Sequence, residues 1–170
     1  MAESRLLAAE DHVVALDYGQ FHLLQLSASD EPIDYYEVVV QAHNSDGIAQ
    51  VPGLLLVLSP HQNNFDMGLR IEVWDGPAPD DAPEWPEAFE AHLDVAEDGL
   101  IYDSPPGGNV HQVPLHVPPG GYHALITGRG FVAHGWTGST TPGDSWRIRL
   151  WPSTGPQAPR RLSAWCPASG

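Results

Sequence analysis

Prolines and glycines, 17 of each in 170 residues, break the chain into short apolar stretches. Proline removes a backbone donor and glycine weakens a helix interior by about 1 kcal/mol, so long helices are excluded and short strands joined by tight turns remain. Leu69, Ile71 and Val73 alternate with Arg70, Glu72 and Trp74. Trp146, Ile148 and Leu150 alternate with Arg147, Arg149 and Trp151 in the same way, the period of half-buried strands. Residues 12–17, 20–27, 35–42, 54–59, 110–117 and 121–128 are further strand candidates. Turn residues at Asp17-Tyr18-Gly19, Asn44 to Gly47, Asp98-Gly99, Pro118 to Gly121 and Pro142-Gly143-Asp144 reverse the chain between them. The pattern predicts an all-β fold, an antiparallel β-sandwich of about eight or more short strands with little helix. Residues 84–93 read either way. Pro86 with Glu84 and Glu87 suits a first helical turn, whereas Phe89, Ala91 and Leu93 alternate as a strand, the slightly favoured reading.

The length suits one domain, residues 1–151, followed by a Pro- and Ser-containing tail over 152–170 that is either mobile or a loosely attached edge. All seven basic residues are arginine. With a net charge of −15, the chain has little to build a basic groove for nucleic acid or a patch for anionic lipid. The lone Cys166 excludes an internal disulfide. The apolar run near the start is too short for a signal peptide, and Leu54 to Leu58 is far short of a bilayer span. A cytoplasmic protein is expected.

Charge is strongly segregated. Residues 1–103 hold 21 of the 22 acids and only two arginines, and residues 72–103 hold 11 acids with no basic residue. A solvated surface accounts for this. So does a docking face for a basic partner, which would raise association rate and specificity more than final affinity. On that reading the partner-binding residues are Asp75, Asp80, Asp81, Glu84, Trp85, Glu87, Glu90 and Asp94, with Trp85 as an exposed or semi-exposed anchor between Glu84 and Pro86. Arg147 and Arg149 could instead neutralise part of this face, within the monomer or across a homodimer.

Catalytic signatures are weak, and an enzyme is not expected. No Gly-x-Ser-x-Gly elbow surrounds Ser139 to Thr141 or Ser145, and no phosphate loop is present. Nine histidines lack His-x-His or His-Glu-x-x-His spacing. Pro118 to His123 matches the Pro-x-Gly-x-x-His core of the second cupin motif without its neighbours, so a cupin-like ligand or metal site using His123 with His111 or His116 is the alternative. A calcium loop at Asp75, Asp80 and Asp81 is a third reading, weakened by its prolines. No cofactor is expected.

Val113 to Gly130, a variable loop, and Asp144 to Pro152 form a strand, a Pro-Gly turn, an aromatic strand ending in Gly-Arg and a strand ending in Leu-Trp-Pro. This ending, with Tyr18 to Leu23 as an opening strand, resembles a set of small bacterial β-sandwich proteins that includes the competence-associated nuclease inhibitor and immunity-like proteins. The resemblance covers about half of the chain and implies a protein that neutralises a partner such as a nuclease toxin. It brings no catalytic residues.

Overall fold

The computed structural model describes residues 3–25, 30–104, 112–132 and 143–167. Its strands are β1 (Leu6–Leu16), β2 (Gln20–Leu24), β3 (Ile48–Val51), β4 (Leu54–Leu58), β5 (Asn64–Trp74), β6 (Glu87–Val95), β7 (Leu100–Asp103), β8 (Val113–Leu115), β9 (Gly120–Arg129), β10 (Ser145–Pro152) and β11 (Arg160–Ser163). One helix, α1, spans Tyr35–Asn44, and a single 3-10 turn spans Ala82–Glu84. The described chain is thus mostly β. The segment left open between helix and strand is strand β6 over most of its length.

Two sheets form, one in the order β1-β5-β10-β9-β6-β11 and the other β3-β4-β2-β7-β8. One core joins them: Phe21 and Leu23 from β2, Leu55 and Val57 from β4 and Tyr102 from β7 meet Ile71, Phe89, Ile126, Trp146 and Ile148 of the larger sheet. The ring of Trp146 lies 5.1 Å from Phe21 and 5.8 Å from Phe131, so one indole bridges the two sheets. Burying such a side chain contributes about 3 kcal/mol. Between β1 and β2 the chain turns at Tyr18 and Gly19, both at positive φ, the conformation that matches strand twist in a two-residue hairpin turn.

Two expectations are corrected. Residues 35–42 are not a strand. They belong to α1, because the Asp34 side chain accepts the Glu37 N–H as an N-cap, and Val38 and Ala42, one turn apart, bury against Leu24, Leu54 and Leu56 on the outer face of the smaller sheet. Nor is pairing antiparallel throughout, since β10 runs parallel to β5. The intervening β10 and β9 make β5 and β6 point the same way, so their connection, residues 75–86, must travel back across the sheet. It travels over the outer face, and that sets up the site.

Candidate partner-binding face

In β10 the alternation that sends Trp146, Ile148 and Leu150 to the core sends Arg147 and Arg149 outward. The returning 75–86 connection lies on them. Arg147 Nη2 donates to Asp81 Oδ1 at 2.7 Å, and Arg149 reaches the same oxygen at 2.6 Å and donates to the Pro79 carbonyl. Arg149 is left 1% exposed and Arg147 14%. Burial raises the Asp81 carboxyl, but the hydrogen bonds and charges of Arg147 and Arg149 outweigh it and hold the group below the ordinary carboxylate value. Burial, then the neighbouring Arg147, push the Arg149 guanidinium down, only partly offset by Asp81. One carboxylate therefore serves two arginines.

Trp85 completes this cover. It is 7% exposed, with the guanidinium carbons of Arg129 and Arg147 at 4.5 and 4.3 Å from its ring centre. The expectation of an exposed anchor is therefore corrected: two cations already occupy its ring. Beside it opens a cleft of about 370 Å³ lined by Arg70, Arg129, Arg147, Asp81, Glu84 and Trp85. Arg70 is held by Glu72 and Asp11 at 2.7 Å each.

Apart from Asp81, the acids expected to form one face separate into two groups. Asp80, Glu84 and Asp94 are exposed, and Asp75 is exposed while binding Arg5. Glu87 and Glu90 are buried under the C-terminal segment instead. Glu90, on the outer face of β6, receives Arg160 and Gln157, with His123 3.6 Å away. Glu87, turned inward and 1% exposed, accepts the Trp165 N–H at 2.6 Å and pairs with Arg161 at 2.9 Å. Burial raises the Glu87 carboxyl above its ordinary value, and the Trp165 N–H and Arg161 offset this only in part. Arg161 packs against Gly47, whose positive φ and lack of a side chain leave room for the guanidinium.

Of the histidines of the cupin-like alternative, His123 and His116 do not share one site. His123 stacks on Trp151 at 4.4 Å, whereas His116 is exposed and binds Glu10 of β1. His111 lies outside the described residues, as do Ser139 to Thr141. Among the described residues no three His, Cys, Asp or Glu side chains converge on a metal position. In the proposed calcium loop, arginines hold Asp75 and Asp81. One polar cluster had no signal in the sequence. His61 Nδ1 meets Asp144 Oδ1 at 2.9 Å, Asn64 donates to the same oxygen, and the Val132 N–H donates to His61 Nε2. Both ring nitrogens are committed, so this pair clamps loops together. No described helix is long and apolar enough to cross a membrane.

No known protein family model matches the sequence, and no curated protein matches it. Solved structures do match the fold. ComJ from Bacillus subtilis, described as an inhibitor of the DNA-degrading activity of NucA, aligns at 14% identity over 89% of this chain and 100% of its own, with a TM-score of 0.56. A protein described as crocagin biosynthetic gene J aligns at 16% identity over 86% of this chain and 99% of its own, with a TM-score of 0.49. The chain therefore resembles ComJ in fold.

Proposed function

We propose that the chain is a two-sheet sandwich working in the bacterial cytoplasm as a non-enzymatic, inhibitor or immunity-like protein, which blocks the active face of a basic partner such as a nuclease. The observation that carries this reading is the fold likeness to a nuclease inhibitor across nearly the whole chain. The outward carboxylates support it. Asp75, Asp80, Glu84 and Asp94 supply the acidic contacts, Asp81 positions the loop that presents Asp80 and Glu84, and Trp85 stiffens that loop. Glu87 and Glu90, committed inside the chain, are left to stability. Nucleases carry basic substrate grooves, and a rim of carboxylates steers such a surface into contact at rates that fall with salt.

The test is capture of the tagged protein's partner from host lysate at low and moderate salt, followed by binding kinetics with the identified protein. One basic protein, lost as salt rises and bound more slowly by an Asp80→Lys, Glu84→Lys, Asp94→Lys variant, is the expected result. An unchanged on-rate in that variant would overturn the acidic-face reading.

A further inference from the structure

The outer face that carries the acidic rim also holds a cluster of arginines. Arg147 and Arg149 share a single carboxylate oxygen, and the Nε atoms of both are buried without a hydrogen-bond partner among the described residues. Arg129 is exposed, lies on the Trp85 ring and makes no ion pair among the described residues. Arg129 and Arg147 both line the open cleft beside Trp85. Arg129, exposed and without an ion pair among the described residues, is the lining arginine left with donors to offer a group in the cleft.

We propose that this cleft is a carboxylate-binding pocket that receives an aspartate or glutamate side chain of the protein partner, held by the forks of Arg129 and Arg147 against the edge of Trp85. The inference deepens the protein-binding reading and rests on it for the source of the carboxylate. Guanidinium forks match a planar carboxylate. Of the cleft's own carboxylates, Asp11 and Glu72 are paired with Arg70 and Asp81 with Arg147 and Arg149, while Glu84 stays exposed. This balance disfavours a multiply charged phosphate more than a singly charged carboxylate. In a chain of net charge −15, a pocket that accepts an acid gives specificity that long-range steering cannot. The partner would present a basic surface bearing one acidic side chain.

The Trp85 indole N–H resonance of the intact protein reports on the pocket directly. Titration with N-acetyl-aspartate methylamide, against N-acetyl-asparagine methylamide and acetate, tests it without the partner. Expected is a saturable shift with the aspartate compound, at least tenfold weaker responses to the asparagine compound and to acetate, loss of the shift in Arg129→Gln, and partial recovery in Arg129→Lys. Since Arg129 is exposed, its replacement leaves the fold in place, which unchanged thermal unfolding would verify. Equal responses to aspartate and asparagine, or an unchanged shift in Arg129→Gln, would overturn the pocket. Acetate binding as tightly as the aspartate compound would overturn a peptide side chain as its ligand. None of these outcomes touches the acidic-rim kinetics, so the two readings fail separately.

Discussion

Two covered regions of the larger sheet solve the same electrostatic problem in opposite ways. Over β10 the sheet supplies the cations, Arg147 and Arg149, and a crossing loop supplies one carboxylate, Asp81. Along β6 the sheet supplies the anions, Glu87 and Glu90, and the C-terminal segment supplies two arginines, Arg160 and Arg161. The second region balances, two charges against two. In the first, two arginines share one carboxylate oxygen beside an open cleft. The balanced pairing closes an edge of the fold, and the shared one borders the cleft proposed to take a partner's carboxylate.

The comparison breaks most visibly at Asp81. Asp81→Asn leaves two largely buried guanidiniums without their carboxylate and is expected to lower stability by about 3 kcal/mol, the order of cost for removing one partner of a buried ion pair. Urea unfolding measures this, and a loss below about 0.5 kcal/mol, the ordinary range of a surface change, would show that Asp81 is not the keystone. Arg161→Gln is expected to cost less, about 1.5 kcal/mol at neutral pH, because Glu87 keeps the Trp165 N–H and can take up a proton. That cost should shrink on acidification, which melting curves of the variant across pH would follow.

The pH dependences have opposite signs. Asp81 titrates below its unfolded value, so its contribution is present above the ordinary carboxylate range and is lost as pH falls through its folded pKa. Glu87 titrates above its unfolded value, so its contribution is fully present below that value and is lost as pH rises through its folded pKa. Between about pH 4 and pH 7, Glu87→Gln should therefore gain stability relative to the parent protein as pH rises. Asp81→Asn, in contrast, should be at its worst near neutrality and improve only at strongly acid pH. Parallel curves for the two variants would refute the assignment. Asp80→Lys and Glu84→Lys should change stability by no more than about 0.5 kcal/mol, which leaves any change in association to be read as an interface effect.

How much of this was legible in the sequence follows from how local each interaction is. Alternation at 69–74 and 146–151 identified strands and told inward-facing from outward-facing residues, since the side-chain period of a strand is local. The Asp17-Tyr18-Gly19 turn was legible for the same reason. Helix α1 was missed because Val38-Val39-Val40 is a β-branched run that favours strands, although Asp34 before Glu37 and the Val38–Ala42 spacing carried the helical signal. The acidic segment was visible as composition, but its division was not. Asp81 meets Arg147 from 66 residues away, and Glu87 meets the Trp165 backbone from 78 away. Only the parallel crossing from β5 to β6 and the return of β11 decide which acids face outward. Trp85 was misjudged because Pro86 and Glu84 suggest an open loop, whereas arginines on two other strands close over its ring.

The most direct test of the account is the association rate of the captured partner, measured by stopped flow across a range of salt, for the parent protein and for the Asp80→Lys, Glu84→Lys, Asp94→Lys variant. The account predicts a fast, salt-sensitive rate for the parent protein and a slower, less salt-sensitive one for the variant, with folding stability preserved in both. Equal rates with equal salt dependence would contradict it.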